Sequence, residues 1–108
     1  MSEHETQNAI INLITLRGGV ATRVNSGLTL IKNTDGTTRA IKHANKGTAD
    51  ILAVYEEKFL AIEVKFGNDK PTPEQLEFGR QVQDAGGLFL VAYDVEEVNQ
   101  LLDAIERE

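Results

Sequence analysis

Three side chains that together could perform metal-assisted hydrolysis lie in the most strand-like part of the sequence, residues 47–67. Asp50 precedes the apolar run ILAVY, and the next apolar run ends with Glu63 and Lys65 on either side of Val64. Side chains two residues apart on a strand point to the same face, so Glu63 and Lys65 should point the same way. The two carboxylates would form a hard, oxygen-rich site suited to Mg²⁺ or Mn²⁺. A metal there can activate a water, and the lysine can orient or deprotonate that water or offset developing charge.

The connection between the two runs predicts how these side chains meet. An antiparallel pairing about a three-residue turn at 56–58 places residue 54 near residue 60. The same pairing places Asp50 near residue 64, beside the other two side chains. Taken one at a time, these residues also have simpler interpretations, since an acid at a strand start can cap a turn and a Glu-x-Lys pair can be a solvated charge pattern.

Three helices are predicted from apolar periodicity and from cap residues. The first spans residues 3–17, and the second begins at Thr72 with Gln75 as its capping-box partner. Both are followed by Gly-Gly pairs, which stop helices. Asp94 is predicted to cap the third helix. Its apolar stripe consists of Val95, Val98, Leu101, Leu102 and Ile105.

Strands occupy most of the remaining chain. They are predicted at 49–55 and 59–66 and within 20–42, where turns fall at Ser26-Gly27 and Asp35-Gly36. The Asp-Gly pair predicts a type I′ hairpin turn, which needs positive φ at both central residues. The run LFLVAY follows a helix, so it should join the sheet parallel to the strand before that helix. The order of helix, three to five strands, helix, strand and helix predicts an α/β sandwich around a mixed central sheet.

Composition limits the class of protein. A length of 108 residues, with 41% apolar and 26% charged residues, suits one globular domain. No run of about 18 apolar residues is present and the N-terminal MSEHETQ is polar, so neither a membrane span nor a secretory signal is predicted. The absence of cysteine excludes thiolate metal sites and fits a cytoplasmic location. A net charge of −6 argues against a general nucleic-acid coat protein, but not against an enzyme whose acids are neutralised by metal.

Several segments, in order, resemble a known family. Asp50 followed after twelve residues by Glu63, Val64 and Lys65 matches the D…(D/E)xK signature of the PD-(D/E)XK nucleases. Five segments resemble the virus-type replication-repair nuclease (VRR-NUC) branch in its small stand-alone phage or bacterial form: TRVNSG, KGTADI, EVKFG, TPEQLEF and AGGLFLVAYDVEEV. Ala49 stands where the family usually has proline. The resemblance implies one VRR-NUC domain over residues 1–108, with a restriction-endonuclease-like α/β core whose mixed central sheet is flanked by helices.

The resemblance also implies roles for single residues. Asp50 and Glu63 would bind Mg²⁺ or Mn²⁺, with the carbonyl of Val64 as a third ligand. Lys65 would be the catalytic lysine. Gln75 would match the catalytic glutamine that follows the ExK strand, although it can equally be only the capping-box residue.

An acid in the first helix usually completes the family's site, and Glu3 and Glu5 compete for that role. Glu3 recurs at helical spacing with Gln7 and Ile10 and so shares a face with core positions. Glu5 lies three residues after Ser2 and is better explained as a capping-box partner. We therefore favour Glu3 as the catalytic acid.

Substrate contacts are expected on two segments. Arg23, Asn25 and Ser26 belong to the R-x-N-S-G motif, which in the family faces the substrate backbone, and Lys46 beside the metal site could touch phosphate. Without the resemblance, Arg23 and Asn25 would be exposed strand residues and Lys46 a loop lysine.

The function implied is that of a metal-dependent, structure-selective DNA endonuclease in the cytoplasm of a bacterial or phage-infected cell. Small members of the family resemble enzymes that cut branched DNA, such as four-way (Holliday) junctions, as homodimers. A flap or duplex nuclease would have the same site. A non-catalytic DNA-binding module with a nuclease-like fold is the alternative from another class. The net charge of −6 favours it, and the intact Asp50, Glu63 and Lys65 argue against it.

Overall fold

The computed structural model describes residues 1–24, 28–42 and 47–108, with the backbone alone for residues 28, 29, 41 and 42. The predicted order of elements is confirmed within these residues, while the turn predicted at Ser26-Gly27 lies outside them. The elements are α1 (Glu3–Leu16), β1 (Val20–Arg23), β2 (Leu28–Lys32), β3 (Thr38–Lys42), β4 (Ile51–Tyr55), β5 (Lys58–Val64), α2 (Pro73–Asp84), β6 (Leu88–Ala92) and α3 (Val95–Glu106).

Four strands form the central sheet in the order β1-β4-β5-β6. The pairs β1–β4 and β4–β5 are antiparallel, whereas β6 runs parallel to β5. The parallel pairing was predicted because β6 follows a crossover helix. The mixed central sheet of the predicted α/β fold is thereby confirmed.

Helices cover both faces of this sheet. On one face α1 and α3 pack together, and their buried residues such as Ile14 and Leu102 share one core with β4, β5 and β6. On the other face, Gly79 of α2 lies directly against the ring of Phe89 on β6. Strand β5 is therefore buried on both faces from Leu60 to Val64. None of the helices in the described part of the chain combines the length and apolar character needed to cross a membrane.

The turn between β4 and β5 is shorter than predicted. Tyr55 pairs with Lys58, which leaves only Glu56 and Glu57 in the turn, and both have positive φ (48° and 67°) as a type I′ turn requires. Because turn length sets the register, residue 54 lies opposite residue 59 and not near residue 60. The predicted three-residue turn and its register were wrong by one residue.

Strands β2 and β3 form a separate hairpin and do not join the central sheet. The type I′ turn predicted at Asp35-Gly36 was wrong, because Gly36 has positive φ and Asp35 does not. Asn33 and Thr37 close a five-residue loop instead, through an N–H···O bond of 2.7 Å from Asn33 to the Thr37 carbonyl. The Asp35 carboxylate accepts hydrogen bonds from the backbone N–H and hydroxyl of Thr37, a local bond that competes with the tighter turn.

Candidate active site at the ends of β4 and β5

Asp50 is anchored between the two strands that flank it. It lies one residue before β4, and its Oδ2 accepts a 2.9 Å hydrogen bond from the backbone N–H of Val64. Its carbonyl oxygen accepts a 2.8 Å bond from the backbone N–H of Val24, just beyond β1. These two bonds fix the half-buried Asp50 at the edge where β5 ends, as the sequence predicted in outline.

Glu63 is the other carboxyl at this edge. Only 1% of the residue is exposed, and its Oε2 has no hydrogen-bond partner within the described structure. Burial, followed by the hydrogen bond and the negative charge of Asp50, raises the pKa of the Glu63 carboxyl from 4.5 to about 9. The Glu63 carboxyl therefore retains its proton at neutral pH.

This pair fits a divalent cation. A cation would take the place of the proton on Glu63 and give its unpaired Oε2 a partner. No group of three or more His, Asp and Glu side chains is close enough to hold a metal among the described residues. The described residues thus offer two carboxylates, and backbone carbonyls, water or substrate oxygens can fill further coordination positions.

Lys65 follows directly after β5. It is half-buried, and its backbone N–H donates a 2.9 Å bond to the carbonyl of Ala92, which extends the pairing with β6 by one residue. The positive charge of Lys65 opposes the rise in the pKa of Glu63. The predicted group of Asp50, Glu63 and Lys65 is thus brought together in one place.

The two acids of α1 have different surroundings. Glu5 and Ser2 form a reciprocal capping box, with N···O distances of 3.1 and 3.2 Å, so the predicted cap is confirmed. Glu3 is exposed, and its negative charge contributes to the raised pKa of Glu63. The interaction of Glu3 with Glu63 is thus electrostatic, and its role as the catalytic acid stays a prediction. The side-chain oxygen of Gln7 accepts a hydrogen bond from Arg23.

Gln75 has the capping geometry that was predicted for it. Its Oε1 accepts a 2.8 Å bond from the backbone N–H of Thr72, while its own N–H donates to the Thr72 hydroxyl. The first turn of α2 also touches the segment that leads into Asp50. A Cβ at Gly47 would come within 2.4 Å of the Glu74 carbonyl oxygen.

The expected substrate-binding residues are only partly described. The guanidinium of Arg23 donates to Gln7 Oε1 at 2.7 Å and to Asn8 Oδ1 at 2.5 Å, which ties the end of β1 to α1. Asn25, Ser26 and Lys46 lie outside the described residues.

One solved structure is similar to this chain in fold over nearly its whole length. It is described as a VRR_NUC domain, and the alignment covers 94% of this chain and 94% of that chain at 20% identity with a TM-score of 0.65. The chain has the VRR_NUC fold. The fold expected from the sequence resemblance is thereby confirmed. No protein-family model and no curated protein matches the sequence.

Within this VRR_NUC fold, Gly47 is a positioning residue that the sequence reasoning did not identify. Its φ of 89° and its close approach to α2 both require a residue without a side chain. Its signal in the sequence was an isolated glycine three residues before the candidate acid. The backbone turn at Gly47 sets the path by which Asp50 enters the site.

Proposed function

We propose that this protein is a metal-dependent endodeoxyribonuclease that hydrolyses phosphodiester bonds. The observation that carries the proposal is the buried Asp50–Glu63 pair, with the unpaired Glu63 oxygen and the Lys65 ammonium beside it. Its occurrence on a VRR_NUC fold supports the choice of DNA as substrate.

In this proposal each side chain has a distinct task. Asp50 and Glu63 would hold Mg²⁺ or Mn²⁺ together with the Val64 carbonyl, and the ion when bound would supply an activated water and stabilise charge on the phosphate. Lys65 orients that water and offsets the negative charge that develops on the phosphate oxygens. Glu3 of α1 and Gln75 of α2 would position the water or the scissile strand.

Branched DNA, such as a four-way junction, is the substrate class that we propose, cut by a homodimer in the cytoplasm. A two-fold symmetric junction requires two symmetric cuts, which a C₂ dimer supplies. The stripe of α3 is buried in the core, so it is not available as the dimer contact. Exposed apolar residues on β1, β4 and β5, namely Val20, Val54 and Phe59, remain available for it.

We propose Arg23, Asn25, Ser26 and Lys46 as the residues that face the DNA backbone. Arg23 would act from its anchored position at the end of β1, where its backbone pairs with Ile51, the residue after Asp50. This adjacency is what supports a role near the scissile strand.

The test is a cleavage panel on strand-labelled four-way junction, flap, splayed-arm and duplex DNA in Mg²⁺, Mn²⁺, Ca²⁺ or EDTA. We expect cleavage in Mg²⁺ and Mn²⁺ only, because Ca²⁺ prefers longer and looser coordination. Asp50→Asn and Glu63→Gln should abolish cutting and retain DNA binding. Glu96→Gln, an exposed acid on α3, is the matched control.

The outcomes of this panel test the metal mechanism, the non-catalytic alternative and the substrate class separately. Cleavage in EDTA, or full cleavage by Asp50→Asn, would show that the mechanism is wrong. DNA binding without cleavage in any metal would favour the non-catalytic module. Equal cutting of all four DNA shapes would show a general duplex nuclease, and light scattering of the protein would report the dimer.

A further inference from the structure

The β2–β3 hairpin carries positive charge in an acidic protein. Residues 28–42 contain Lys32, Arg39 and Lys42 against Asp35, a net charge of +2, so the rest of the chain carries −8. Positive charge is thus concentrated on one element. An acidic protein that binds a polyanion needs such a local basic surface.

The cations on this hairpin are also free to bind a ligand. Lys32 and Arg39 are exposed, and neither has an acidic partner among the described residues. Arg17 and Arg80, by contrast, are each held by two acids. Asp35, the acid of the hairpin, is engaged by Thr37 in the loop.

The described residues that precede and follow the hairpin segment lie next to the candidate active site. Val24, which precedes it, is hydrogen-bonded to the backbone of Asp50, and Gly47, which follows it, lies against the first turn of α2. No other described element packs extensively against β2 or β3, and the molecule is 58 Å long but only 31 Å and 29 Å across. A five-residue strand spans roughly 16 Å, so the hairpin extends away from the site as an arm.

Each face of the arm carries a cation beside an apolar residue. Lys32 lies opposite Thr38 and shares a face with Leu30, whereas Arg39 lies opposite Ile31 on the other face. Cations on both faces suit a ribbon that lies between two phosphate backbones. The major groove of B-DNA is about 12 Å wide and admits a two-stranded β-ribbon.

We propose that the β2–β3 hairpin lies in the major groove of a DNA duplex next to the cleavage point, with Lys32 and Arg39 contacting phosphates on opposite walls. The proposal rests on the proposed function in one respect, that the ligand is DNA. Binding would also stabilise the hairpin, since a lone two-stranded hairpin with an exposed leucine (Leu30, 71% exposed) is marginally stable in water.

The test measures DNA binding without cleavage. Wild-type protein and the double variant Lys32→Ala/Arg39→Ala are titrated onto a labelled duplex or junction in EDTA at several salt concentrations. Loss of two phosphate contacts should reduce the slope of log K against log [salt] by about 1.8 per subunit. The control Lys58→Ala/Arg107→Ala removes equal charge at the ends of β5 and α3 far from the site, and its slope should not change.

Two further measurements locate the arm. Methylation of guanine N7, which lies in the major groove, should be reduced by the wild type and restored in the hairpin variant. In Mg²⁺, with the DNA concentration varied up to saturation, the hairpin variant should keep its kcat and show a raised KM.

The outcomes distinguish this proposal from the proposed function. An unchanged salt slope in a variant that still cuts DNA would refute the arm and leave the nuclease intact. A reduced slope in a protein that never cuts would support the arm and refute the nuclease. Absence of DNA binding by the wild type would refute both. An unchanged slope with a halved molecular mass would identify the hairpin as a contact between protein copies, contrary to the proposal.

Discussion

Raising the pH in the absence of metal should weaken the fold, because of the Asp50–Glu63 pair. The pKa of Glu63 is raised from 4.5 in the unfolded chain to about 9 in the folded one. Between these values the folded state retains a proton that the unfolded state releases. The free energy of unfolding therefore falls as the pH rises through this window, and the contribution is fully present only below the unfolded pKa.

The size of the effect follows from the linkage relation. One retained proton changes the free energy of unfolding by about 1.36 kcal/mol per pH unit, so the loss from pH 6 to pH 8 is about 2.7 kcal/mol. For a domain of this size that corresponds to a decrease in Tm of roughly 10 °C. Glu63→Gln cannot ionise, so it should remove this part of the pH dependence and be level with or more stable than the wild type at pH 8.

The assay is thermal and urea denaturation of chelator-treated protein at pH 6 and pH 8. Glu96→Gln serves as the control acid and should keep the wild-type difference. Mg²⁺ at about 100 times its Kd should restore about 2.7 kcal/mol at pH 8 in the wild type and far less in Glu63→Gln. Equal pH dependence in the wild type and Glu63→Gln would refute the raised pKa of Glu63.

Three other predictions test separate parts of the structure. Glu3→Gln should lower turnover about tenfold with no change in Tm. Glu5→Gln should leave turnover and Tm unchanged, because glutamine can also complete the capping box. A kinetic loss confined to Glu5→Gln would show that Glu5, and not Glu3, is the catalytic acid. Lys65→Ala should lower kcat roughly 100-fold or more with DNA affinity little changed, and an equal loss in affinity would show that Lys65 mainly binds substrate. Gly79→Ala places a Cβ about 2.4 Å from the Phe89 ring. The overpacking cost of about 1–3 kcal/mol should exceed the helix-propensity gain of about 1 kcal/mol, so the Tm should fall. Phe89→Leu in the same chain should recover part of the loss.

Local sequence patterns predicted the parts of the fold that depend on local chemistry. Ser2-x-x-Glu5 and Thr72-x-x-Gln75 form the predicted capping boxes because each involves groups only three residues apart. The parallel pairing of β6 was predictable because a crossover helix leaves little choice of direction. Asp50 and Glu63 could be placed at one sheet edge from strand alternation, since a register error of one residue still leaves them neighbours.

Features that depend on long-range packing could not be predicted. Glu56 and Glu57 adopt a turn that their residue types disfavour, because the buried faces of β4 and β5 fix the register that the turn must close. Conversely, Asp35 occurs in a favourable turn sequence but binds Thr37 instead. The unpaired, buried Oε2 of Glu63 depends on how deeply α2 covers β5, which no sequence motif encodes.

The turn between β4 and β5 makes this domain a convenient scaffold for engineering. Glu56 and Glu57 both occupy the left-handed region, at a cost of about 1–2 kcal/mol for each residue. Asn-Gly adopts the same turn without that strain, and the turn lies at the opposite end of β4 and β5 from Asp50 and Glu63. Replacing the pair should therefore add a reserve of stability while the candidate active site stays unchanged. Such a reserve would let later changes in substrate preference tolerate the destabilising substitutions that new activities often require.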